Sequence, residues 1–150
     1  MDKMGVIFMY CVDVNKLYFN AYPDVRKVIC KETAASIQGL ISNYGIPLYF
    51  YYQNGDIINS SYIRGIRNLQ MNNLLIKNQS GLEITSPEQT IYDLLNDFDN
   101  VSLEFIHQSL CNYYFKHGKT FDNLLIVLDG GAVKKRFDSE YNEALTFYDD

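Results

Sequence analysis

Few side chains in this sequence are of the kinds that do covalent or metal chemistry. The two histidines, His107 and His117, fall within one helical stretch and at its end. No H-E-x-x-H, G-x-S-x-G or phosphate-loop spacing accompanies them. Cys11, Cys30 and Cys111 are widely separated, with no C-x-x-C pair, which argues against a zinc site and against a disulfide framework. Asp97 lies near Asp99, and Asp122 and Asp129 flank one short helix, but neither pair has the spacing of a calcium loop. A nuclease-type D…E-x-K reading fails at Glu83, which Ile84 and Thr85 follow. No acid–base pair has an arguable geometry. The expectation is therefore no catalytic residue, no metal and no cofactor.

The chemistry that remains is binding. Lys134-Lys135-Arg136 places three cations at the start of the last helix, where they oppose the helix dipole. Such an arrangement suits contact with phosphate or acidic side chains. The bland alternative is compensation by Asp138, Glu140 and Glu143 a turn away. Arg64 and Arg67, beside Tyr62, form a second and weaker basic patch, for which a solvated loop is the preferred reading. Gly130-Gly131 precedes a helix and could in principle cradle an anion, but an interhelical turn is the favoured reading.

The elements that must position these groups follow from periodicity. Residues 5–14 read as a strand buried on at least one face. Residues 32–44 read as a helix with Ala34, Ile37, Leu40 and Ile41 on one face. Residues 48–53 are a strong strand, with two of its four consecutive aromatics facing each way. Asn54-Gly55 then signals a hairpin, with residues 57–63 returning antiparallel. A strand at 74–76 and another at 82–85 complete the sheet. Ser86 is a good N-cap, Pro87 suits the first helical position, and Gln89 can reach back to the cap's own N–H. A helix runs from there to about Phe98. Ser102 opens another over 103–116, with Leu103, Ile106, Leu110 and Tyr113 or Tyr114 inward, and His117-Gly118 stops it. Thr120 with Asp122 opens 121–128. The last helix, 133–148, carries a stripe of Val133, Phe137, Tyr141, Leu145 and Tyr148. The fold class expected is α+β: a small mixed or antiparallel sheet with one helix in the N-terminal half, then three to four helices. The chain reads as one domain over 1–150, with a sheet-containing part at 1–85 and a helical part at 86–150.

Two phrases in this layout carry a family resemblance. Residues 81–95, GLEITSPEQTIYDLL, resemble the phrase G-L-x-V-T-S-P-E-R-T-L-x-D-L-L of the AbiEi family. These are bacterial antitoxins of type IV abortive-infection systems. Residues 28–40, VICKETAASIQGL, are similar to that family's V-I-S-H-E-S-A-L-x-L-H-G-L. The signature positions present are Glu32, Gly39, Leu40, Ser86, Pro87, Glu88, Thr90 and Asp93. Gln89 stands where the family has Arg, and Lys31 and Gln38 where it has His. Members carry a winged helix-turn-helix before the first phrase. Only residues 1–27 precede it here, so DNA binding by that route is expected to be absent. The resemblance implies a non-enzymatic antitoxin domain that counters a nucleotidyltransferase-type toxin.

Composition sets the remaining bounds. The length of 150 residues and the 47% hydrophobic content suit a globular core, and no segment resembles a signal peptide or a membrane span. A reducing cytoplasm is the simplest setting for three scattered cysteines. Residues 1–75 hold seven Lys/Arg against five Asp/Glu, whereas residues 76–150 hold six against thirteen. The net charge of −5 makes general nucleic-acid binding unfavourable. The acidic half suits either simple solubility or a basic partner. The partner expected is a protein: a toxin, or alternatively a host defence nuclease bound by an acidic phage or mobile-element inhibitor. The sequence does not set the oligomeric state.

Overall fold

The fold is α+β: among the described residues, five strands form one mixed sheet with five helices. The computed structural model describes residues 22–146; the strand expected at 5–14 and the position of Tyr148 lie outside the described residues. In chain order the elements are β1 (Val28–Ile29), α1 (Lys31–Ile37), β2 (Leu48–Tyr52), β3 (Ile63–Arg67), β4 (Ile76–Gln79), β5 (Leu82–Thr85), α2 (Pro87–Asn96), α3 (Leu103–Lys116), α4 (Asp122–Val127) and α5 (Gly131–Thr146). Short 3-10 turns lie at Met71–Asn73 and Phe98–Asn100.

The strand order is β3-β2-β1-β5-β4. The central strand is the shortest. Val28 and Ile29 are too brief a run to stand out by alternation, yet both are fully buried. β1 pairs antiparallel with β2 and parallel with β5. α1 then packs between the sheet and the helices. Ala34 joins Ile29, Phe50, Ile63 and Ile84 on the sheet side. Its neighbour Ala35 joins Leu40, Ile91, Leu94, Leu110, Leu128 and Phe137 on the helical side.

α1 is shorter than its periodicity implies, ending at Ile37 rather than Tyr44. Gly39 adopts φ +72, a left-handed conformation that glycine tolerates best. The Gly39 N–H donates to Ser36 O and the Leu40 N–H to Ala35 O. That is the double closure of a Schellman stop, with Leu40 buried behind it. Leu40 and Ile41 therefore reach the core from the turn after the helix.

The expected hairpin after β2 is also absent. β3 begins at Ile63 and runs parallel to β2, with Leu48 opposite Ile63 and Tyr52 opposite Arg67. Parallel neighbours need a crossover, and residues 53–62 supply it. Gly65 makes room for it: a Cβ there would meet Ile57 Cγ2 at 2.9 Å and the Phe50 ring at 3.1 Å. Asn59 Oδ1 accepts from the Gly65 N–H at 2.8 Å, which covers part of the exposed strand edge. On the other side, β4 lies just beyond the expected 74–76. It turns into β5 through Ser80 and Gly81, both at positive φ as a two-residue hairpin turn requires.

The helices lie close to where capping and spacing put them. Ser86 Oγ accepts from the Gln89 N–H at 3.1 Å, and Pro87 occupies the first turn. Ser102 precedes α3 without a side-chain cap, and Leu103 faces outward at 45% exposure instead of inward. Ile106, Leu110 and Tyr113 are buried as expected, as are Val133 and Phe137 on α5.

Candidate functional site

Among the described residues, a dense group of buried titratable side chains lies where the N-terminus of α1 meets α2. β1 delivers it: Cys30 is extended (φ −141, ψ 178), and Lys31 turns the chain into the helix at φ +52. A positive φ is unusual for a long side chain, so the surroundings must hold it. Three contacts do so. Lys31 Nζ donates to Asp97 Oδ2 at 2.6 Å, lies 3.9 Å from Glu32 Oε1, and sits 4.3 Å from the centre of the Tyr49 ring. Asp97 caps the C-terminus of α2, one turn beyond Asp93. Tyr49 and Tyr51 come from the same face of β2, while Phe50 and Tyr52 pack on the opposite side.

Burial dominates the electrostatics. Desolvation pushes the Asp93 carboxyl up to about 7, against the pull of Gln89 Nε2, which donates to Oδ1 at 3.0 Å. The Tyr51 hydroxyl and the Lys31 charge pull the same way as Gln89. Asp93 Oδ2 is buried without a hydrogen-bond partner of its own. Glu32 is raised for the same reason, burial, only partly offset by Lys31, and its Oε1 also lacks a hydrogen bond. For Lys31, burial works to lower the pKa, but the hydrogen bond to Asp97 and the charges of Glu32 and Asp97 outweigh it, so the net shift is upward. For Asp97, half-open to solvent, desolvation is the largest single influence and acts upward. The hydrogen bonds from Lys31 and Asn100 together overcome it and hold the carboxyl below the usual range. Burial, reinforced by Asp93, pushes the Cys30 thiol well up, which leaves it a poor nucleophile.

A second network of neutral groups adjoins this one. Thr85 and Thr90 are fully buried with their hydroxyls 2.7 Å apart. Gln38 Nε2 reaches Thr85 O at 3.0 Å and Thr90 Oγ1 at 3.1 Å. Gln38 thus donates from the position where the AbiEi phrase has His. Gln89 does not reach back to the cap. Its Oε1 accepts from the Leu75 N–H at 3.2 Å, and the Ser86 N–H donates to Leu75 O. Glu88 accepts from the Tyr113 hydroxyl at 3.3 Å.

The structure therefore brings Glu32 and Asp93 together around Lys31 and ties Thr90 to Gln38, with Gly39 and Leu40 forming the stop beside them, whereas Ser86 and Pro87 open α2 and Glu88 meets Tyr113. It does not gather the basic residues. Arg64 and Arg67 lie on the edge strand β3, and Arg67 covers the Tyr52 ring at 5.2 Å. Lys134 pairs with Asp138 at 2.6 Å. Arg136 Nη1 donates to Leu95 O at 2.7 Å and Asn96 O at 3.0 Å, satisfying the carbonyl end of α2. Lys135 is exposed. Sequence patterns did not single out Lys31, Asp97, Tyr49 and Tyr51 as a group. The four-residue step from Asp93 to Asp97 was the available signal, since it places both on one helix face.

No protein-family model matches the chain, and no curated protein matches it.

Proposed function

We propose that this chain is an AbiEi-like antitoxin domain, a non-enzymatic cytoplasmic module that counters a nucleotidyltransferase-type toxin by binding a protein partner. One observation supports this reading above the others. The two phrases that carry the resemblance are far apart in sequence, yet they are the two walls of a single junction. Glu32 and Asp93 both face Lys31 there, and Gln38 spans from one phrase to Thr85 and Thr90 of the other. Such mutual dependence is what a shared fold signature requires. The burial of Lys31, Glu32 and Asp93 suits positioning of α1 and α2 more than turnover. Lys135, Arg64 and the half-open Asp97 are the charged groups this reading offers to a partner. Among the described residues no helix is long and apolar enough to cross a membrane.

The test is co-expression with a nucleotidyltransferase-type toxin of an abortive-infection system. Growth rescue is the expected outcome. Continued toxicity with a well-expressed, folded protein would overturn the reading. The excess of acidic residues over 76–150 favours a second reading, an acidic inhibitor of a defence nuclease. That reading predicts recovery of a basic nuclease in a pull-down, with binding that weakens steeply as salt rises.

A further inference from the structure

We infer that His107, Glu140 and Glu143 form a binding site for one divalent transition-metal ion, with Zn2+ the best match, clamping α3 to α5. His107 is on α3, and its side chain is only 8% exposed. Glu140 and Glu143 lie three residues apart on α5, so they share a face. One ligand atom from each of the three falls within 4.8 Å of the others. His107 Nε2 and Glu140 Oε2 are 3.6 Å apart, too far for a hydrogen bond. Both atoms are buried, and neither has a hydrogen-bond partner.

Buried polar atoms are rarely left in this state unless an ion or water serves them. Two of them point at each other, and a third oxygen donor approaches from the solvent side. The direct His107–Glu140 contact sits beyond hydrogen-bond reach and leaves both buried atoms unserved. A metal ion satisfies all three at once. Ligands held about 2.0–2.2 Å from a tetrahedral ion lie roughly 3.3–3.6 Å from one another, so His107 Nε2 and Glu140 Oε2, at 3.6 Å, already stand at about that spacing, while the set of three extends to within 4.8 Å and needs Glu143 to close in. Glu143 is exposed and has the longest way to swing. The imidazole nitrogen selects against Mg2+ and Ca2+, which prefer oxygen donors alone, and the mixed nitrogen and carboxylate set suits Zn2+. Three protein ligands leave the fourth position to water. Two carboxylates facing a dication also cancel charge in a region where two anions would otherwise repel.

The experiment uses the full chain, treated with EDTA and dialysed, then titrated with ZnCl2 by calorimetry. Co2+ serves as a spectroscopic stand-in. One Zn2+ per chain should bind. At a hundredfold excess over Kd it should raise Tm by about 5–10 °C. His107→Gln should abolish binding and the visible Co2+ bands. Because His107 is buried, the exposed Glu143→Gln variant keeps the test decisive. It should fold normally by circular dichroism and bind at least about tenfold more weakly. Failure of the wild type to bind stoichiometrically would overturn the proposal. So would wild-type affinity in Glu143→Gln, whatever His107→Gln does.

Discussion

Asp93 is the residue whose chemistry depends most on its surroundings. Its folded pKa, about 7, lies above that of a free aspartate, so the folded state holds a proton that the unfolded state has released. The stability this contributes is full below about pH 4 and is lost as pH rises through about 7. Glu32 shifts the same way, through burial, while Asp97 and Glu83 are held down by Lys31 and Arg26 respectively and act in the opposite sense. Comparison of wild type with Asp93→Asn isolates the one group. The substituted amide keeps an acceptor for Gln89 and carries no charge. Thermal melts from pH 4 to pH 8 should show a flatter profile for the variant, with a relative gain on the order of 4 kcal/mol at the alkaline end. A variant that parallels wild type over that range would mean that Asp93 is ionised without cost.

Helix ends matter more in this molecule than helix interiors. Ser86 starts α2, the Gly39 turn stops α1, and Arg136 finishes α2 from another helix. Ser86→Ala should cost about 1 kcal/mol, read as a lower urea midpoint at unchanged m. Arg136 resolves a puzzle of charge placement. Three cations at the start of α5 oppose its dipole, but Arg136 reaches the carbonyl end of α2, where a cation is favourable. It also stacks 5.6 Å from the Phe98 ring centre. Arg136→Ala should therefore lose about 1–2 kcal/mol of stability, because it uncaps Leu95 O and Asn96 O. Lys135→Ala should stay within about 0.5 kcal/mol, as an exposed substitution without such contacts does. Equal losses from both would contradict the capping role.

At the scale of the whole molecule, α1 ties two apolar clusters together. Ala34 faces one and Ala35 the other, while Lys31 and Gln38 anchor its ends to α2. The sheet and the helices should then unfold as one cooperative unit. Leu94 is fully buried at the centre of the helical cluster. Leu94→Ala should lose about 2–5 kcal/mol. The loss should appear equally in far-ultraviolet circular dichroism and in tyrosine fluorescence, the usable intrinsic probe in a chain with 13 Tyr and no Trp. Separate transitions for the two probes would show that the two clusters are independent.

The amino-acid order by itself determined the helical half and its punctuation. Ser86-Pro87, His117-Gly118, Thr120-Asp122 and Gly130-Gly131 act on their immediate neighbours, so a local reading suffices for them. It also determined the pair of strands with the plainest patterns, 48–52 and 82–85. Tertiary structure decided what depends on partners distant in sequence. β1 is two residues long and is a strand only because β2 and β5 flank it. β3 runs parallel because Gly65 leaves space for a crossover to lie on it, and no dipeptide after β2 encodes that contact. The candidate site divides in the same way. Glu32 and Asp93 were visible as members of phrases. Their junction with Lys31, Tyr49 and Tyr51, and the approach of His107 to Glu140, arise only when packing removes water from between elements and makes each buried charge answer to the others.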